Sequence, residues 1–173
     1  MRPPVTGEKI KRLMIALGQS VGGPGAIFFT GGVTALLHGW RDTTIDIDLK
    51  ALPEPAGLYE ALADLKEKEN VNIELASPDD FITELPGWRE RSLFIARHGD
   101  VDFYHYDPYA QALAKIERGH ARDVADVESM VAAGLVDRGK VLALFAQIES
   151  GLIRYPAIDA GVFRRKVESF ATP

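Results

Sequence analysis

The hydrophobic pattern changes its period along the chain. Ile10, Leu13, Met14 and Leu17 fall at i, i+3, i+4 and i+7, so residues 8–17 are expected to form a helix with one apolar stripe. Val21-Gly22-Gly23-Pro24-Gly25 breaks that pattern. Residues 26–29 are apolar and aromatic-rich and predict a buried strand, ended by Gly31-Gly32; residues 33–38 predict a short helix stopped near Gly39. In Ile45-Asp46-Ile47-Asp48-Leu49 the period becomes two, the signature of a strand with both carboxylates on one face. Pro53 and Pro55 close it. Leu58, Ala61, Leu62 and Leu65 mark an amphipathic helix over residues 57–69, and 71–75 is a further strand. Ser77 to Asp80 predicts a turn or short helix, and Leu85-Pro86-Gly87-Trp88 a loop. Residues 92–96 and 101–106 flank His98-Gly99-Asp100 and predict a β-hairpin.

From Pro108 onward the pattern is helical, over about 108–117, 122–133, 137–149 and 159–170. Asp107-Pro108 has the form of an N-cap followed by proline at the first helical position, and Gly119, Gly134 and Gly151 fit helix ends. The expected fold class is α/β (α+β), a mixed sheet flanked by helices with a C-terminal helical cluster. The expected organisation is one domain over 1–173, with an α/β core to about residue 107 and helices after it.

Composition narrows the function. A chain of 173 residues buries roughly 70% of its unfolded surface and needs no metal or disulfide to be stable. It has no cysteine, which excludes a disulfide framework, a cysteine zinc site and thiol catalysis. Neither a secretory signal nor an apolar run near 18 residues is visible, so a cytoplasmic protein without membrane contact is expected. The net charge of −5 disfavours non-specific nucleic-acid binding, which needs a basic surface.

The residues with chemistry cluster around two short segments. Asp46 and Asp48, about 7 Å apart by strand rise, repel each other unless a cation intervenes. Mg²⁺ prefers oxygen ligands and usually takes one or two carboxylates together with substrate phosphates. Gly31-Gly32 adds a turn where backbone N–H groups can approach phosphate oxygens, with a helix start behind it. Thr43 or Thr44 is placed to offer a hydroxyl. Each feature alone has a plainer reading, a solvated strand face or a simple turn. Their combination points to a metal–triphosphate site. His38, His98, His105 and His120 lack metal-ligand spacing and read as structural or surface residues.

The order of strand, Gly31-Gly32, helix, Gly39, Arg41, Thr44, Asp46 and Asp48 resembles the nucleotidyltransferase superfamily, the fold of DNA polymerase β. Within it the chain is most similar to AbiEii-like bacterial proteins. A second block supports this: Asp107-Pro108-Tyr109, then Ala114-Lys115-Ile116-Glu117-Arg118 and Arg122-Asp123-Val124-Ala125-Asp126. The resemblance covers about residues 26–135. It implies that Gly31, Gly32 and Thr44 hold the triphosphate and that Asp46 and Asp48 bind Mg²⁺. Lys115 would neutralise phosphate charge, and Asp123 would act as a base or anchor Lys115. For a third, metal-binding carboxylate the candidates are Asp102 and Glu74. Asp102 is favoured, because Val101 and Phe103 are expected to pack inward.

The function so implied is Mg²⁺-dependent transfer of an NMP from an NTP to a hydroxyl of tRNA, a protein or a small molecule. A role as a toxin–antitoxin component with an antitoxin or other protein partner goes with it. The alternative is a catalytically inactive domain of the same fold that acts through a protein partner. A Mg²⁺ phosphohydrolase fits less well. It needs its first Asp at the end of the first core strand, where this chain has Gly-Gly.

Overall fold

The computed structural model describes residues 1–173. It is a mixed α/β fold with a five-stranded sheet flanked by helices. The chain forms two compact units: residues 1–77 with 92–105, and residues 78–91 with 106–173.

The first unit holds the sheet. Its elements are α1 (Gly7–Ser20), β1 (Gly25–Thr30), α2 (Gly32–His38), β2 (Asp46–Ala51), α3 (Leu58–Lys68), β3 (Asn72–Leu75), β4 (Leu93–His98) and β5 (Val101–His105). The strand order is β3-β2-β1-β5-β4. β1 runs antiparallel to β2 and parallel to β5, while β2 runs parallel to β3. The aromatic-rich segment becomes the central strand and is buried at all six positions. Ile27 and Phe29 on β1, Ile47 and Leu49 on β2, Ile73 on β3 and Val101 and Phe103 on β5 form one sheet face. They share a core with Ile10, Leu13 and Leu17 of α1 and Leu58, Leu62 and Leu65 of α3. This is the apolar set that the two periodicities pick out. β4 and β5 form the expected hairpin around Gly99 and Asp100, with a register shift between Phe94 and Ala96 that the alternation did not reveal.

The second unit is helical: α4 (Trp88–Arg91), α5 (Pro108–Arg118), α6 (Ala121–Ala132), α7 (Arg138–Ile148) and α8 (Ala160–Ala171), with 3₁₀ turns at Pro78–Asp80 and Glu149–Arg154. Asp107, Asp137 and Asp159 cap the starts of α5, α7 and α8, each accepting a backbone N–H two or three residues ahead. The loop expected at 85–88 ends in the one-turn helix α4. Its cause is tertiary: the Trp88 ring stacks on Tyr106 at 4.5 Å between centroids, which pins a segment with no helical periodicity of its own. No helix is long and apolar enough to cross a membrane.

Candidate functional site

Strand pairing sets the geometry around the two aspartates. Asp46 and Asp48 lie on the β2 face opposite the core residues Ile47 and Leu49. Asp48 stands beside Thr30 at the end of β1, where the chain enters the glycine turn. On its other side Asp48 is paired with Glu74 of β3, and Asp46 is paired with Asn72.

The glycine turn closes onto this face. Gly31 has φ 62° and ψ −125°, a conformation open to glycine and hostile to a Cβ. A Cβ there would sit 3.4 Å from Asp48 Oδ2, so the turn lies directly against that carboxylate. Gly32 is needed for a different reason: its Cβ would lie 2.0 Å from Thr44 Oγ1. Thr44 is buried. Its hydroxyl donates to the Asp46 carbonyl oxygen at 3.3 Å, and its backbone exchanges two hydrogen bonds with Val5. The Thr44 hydroxyl thus lies against the glycine turn at Gly32. α2, which starts at Gly32, has only 7 residues.

Asp102 lies apart from Asp46 and Asp48. It does lie on the β5 face away from the core, as the alternation requires. Its partner on β1, however, is Ala26, four residues before Thr30, which places it roughly 13 Å along the strand from Asp48. Its carboxylate is 3.8 Å from Arg97 Nε. Glu74 is the third carboxylate that register places at Asp48's side. Alternation shows which face a residue occupies but not which end of the neighbouring strand it meets.

Asn72 was missed by sequence reasoning, although it shares Glu74's face by period two. Its amide Nδ2 donates to Asp46 Oδ1 at 2.6 Å and to Glu74 Oε1 at 3.0 Å. Lys50 lies on the same face of β2, paired with Phe28. No group of three His, Asp or Glu side chains is placed to hold a metal ion. The residues that could hold a hard cation together with an oxygen-rich ligand are the two strand carboxylates Asp46 and Asp48, beside the Gly31 turn.

The remaining predicted residues lie in the helical unit. Lys115 is buried, its ammonium 2.8 Å from Asp126 Oδ2 and 3.8 Å from Asp123 Oδ1. Arg118 grips Asp123 from the rim, donating from Nη2 at 2.7 Å and Nε at 3.3 Å. Asp123 thus contacts both Lys115 and Arg118. Asp126, the closer partner of Lys115, is 3% exposed. Its position was visible as the last residue of Arg-Asp-x-x-Asp, but its link to Lys115 was not. Arg91 similarly pairs with the buried cap Asp107 at 2.8 Å. Burial raises the Asp107 pKa, with the Arg91 guanidinium opposing the shift.

Two histidines form a separate feature near α2. His105 is buried, 3.1 Å from Thr34 Oγ1 through Nδ1, with its ring 4.6 Å from that of His38. Burial, aided by His38, depresses the His105 pKa to about 3.

No curated protein and no solved structure gives a significant match to the chain. A family-wide sequence pattern does match, over residues 18–158, which include the glycine turn, both strand aspartates and the Lys115 cluster. The chain therefore belongs to the family described as nucleotidyltransferase of unknown function, DUF6036.

Proposed function

We propose that the protein transfers an NMP from a Mg²⁺-bound NTP to a hydroxyl group. The observation that carries this reading is the closure of the Gly31 turn over Asp48, with Asp46 on the same face and Glu74 beside it. Asp46 and Asp48 hold the metal with the triphosphate, and the backbone of Gly31 and Gly32 lies against the phosphates. The acceptor oxygen attacks the α-phosphorus in line. The bond from that phosphorus to the bridging oxygen breaks, pyrophosphate leaves, and the hydroxyl proton passes to Glu74. When bound, Mg²⁺ offsets charge on the phosphates and on the leaving pyrophosphate. The chain's own contribution is position and a fixed electrostatic frame. Lys115, held by Asp123 and Asp126, acts as a brace between α5 and α6.

The likeness to AbiEii-like proteins supports placing the protein in a toxin–antitoxin pair, with tRNA or a protein hydroxyl as acceptor. The test uses each α-³²P-labelled NTP with total tRNA, with cell protein and with small polyols. Label should move to one acceptor class only with Mg²⁺, and both Asp46→Asn and Asp48→Asn should abolish it while folding normally. Undiminished transfer by the folded variants would refute the reading.

A further inference from the structure

We infer that Asn72 is a positioning residue that orients the metal-binding Asp46 and the proton-accepting Glu74 and does not touch substrate. The inference rests on the proposed metal–nucleotide site. β2 and β3 run in parallel register, so Asp46, Asp48, Asn72 and Glu74 form a rectangle on one sheet face. Three corners are carboxylates. The fourth is a neutral amide, and an amide can donate where a carboxylate cannot.

Asn72 uses that ability twice, donating to Asp46 Oδ1 at 2.6 Å and to Glu74 Oε1 at 3.0 Å. One oxygen of each carboxylate is thereby fixed, and Asp46 Oδ2 and Glu74 Oε2 remain for ligands. The same two bonds draw together two like charges that would otherwise rotate apart. β3 is an edge strand with Glu74 exposed, so little packing restrains that side chain. The amide supplies the restraint. Hydrogen-bond partners of this kind around metal ligands typically change metal affinity by about 10- to 100-fold when removed.

The experiment measures Mn²⁺ binding from the free-ion EPR signal, with each NTP present, for wild type, Asn72→Ala, Asn72→Leu and Asn72→Gln. Thermal melts run in parallel. Leucine keeps the bulk of asparagine and removes the donor, whereas glutamine keeps a donor on a longer arm. The expected result is a Mn²⁺ dissociation constant raised about tenfold or more in the Ala and Leu variants. Glutamine should recover part of the loss, and melting temperatures should not follow the affinity order. A Mn²⁺ constant within twofold of wild type in both Ala and Leu variants would overturn the inference. So would an affinity loss that tracks melting temperature across all three variants. A wild-type protein that binds no Mn²⁺ with any NTP would instead overturn the underlying site, and the inference with it.

Discussion

Acidification should destabilise the sheet-containing unit through His105. The ring is 6% exposed, contacts Thr34 and His38, and has its pKa lowered from the ordinary 6.5 to about 3, first by burial and then by His38. A lowered folded pKa means that below pH 6.5 the unfolded chain takes up a proton the folded one refuses. The stabilisation is complete above pH 6.5 and is lost as pH falls through the window from 6.5 toward 3. Each pH unit in that window is worth about 1.4 kcal/mol, so moving from pH 7.5 to 5.0 should cost about 2 kcal/mol through this residue alone. Set against a total stability of about 5–15 kcal/mol, that loss is easily measured. Burial lowers the His38 pKa too. The informative quantity is therefore the difference between wild type and His105→Gln, which keeps a polar group for Thr34 and cannot titrate. Urea unfolding followed by the fluorescence of Trp40 and Trp88 at the two pH values gives it. Wild type should lose about 2 kcal/mol more than the variant. An equal loss in both would show that His105 is not the group held neutral.

Other substitutions probe the turn and the helical brace. Gly31→Ala forces an alanine to φ 62° with its Cβ 3.4 Å from Asp48 Oδ2; chemical denaturation should show a loss of about 1–3 kcal/mol, with nucleotide binding falling by more than the stability loss explains. Asp126→Ala leaves the buried Lys115 ammonium without its 2.8 Å partner and should cost about 3–5 kcal/mol in the same assay. Lys115→Met with Asp123→Asn and Asp126→Leu removes the charges together and should recover much of that loss, whereas continued severe destabilisation would contradict a bracing role. Thr44→Val removes the hydroxyl under Gly32 but keeps the shape, so it should cost about 1 kcal/mol and leave NTP affinity within a few-fold; a collapse of affinity at unchanged stability would place Thr44 at the phosphate site.

Local patterns were legible where one physical rule acts alone. The alternation in Ile45 to Leu49 placed both aspartates on one face because strand side chains repeat every two residues. Gly31-Gly32 marked a turn, and the structure shows the two glycines meeting different demands, one of backbone angle and one of contact with Thr44. Strand order was not legible, because it depends on which non-local pairings win. β5 joins β1 in parallel and β3 joins β2, so Glu74 reaches Asp48 and Asp102 falls at the far end. Asn72 carries no signal until β3 is known to lie beside Asp46. The Lys115–Asp126 bond likewise depends on how α5 meets α6, which helical periodicity does not specify.

In the proposed function Asp46 and Asp48 together bind a Mg²⁺–nucleotide. Isothermal titration of each NTP, with and without Mg²⁺, into wild type and an Asp46→Asn/Asp48→Asn double variant tests it directly. At least one NTP should bind with micromolar affinity, about −8 kcal/mol, only with Mg²⁺ and not to the folded double variant. No binding by any NTP, or equal binding by wild type and the double variant, would contradict it.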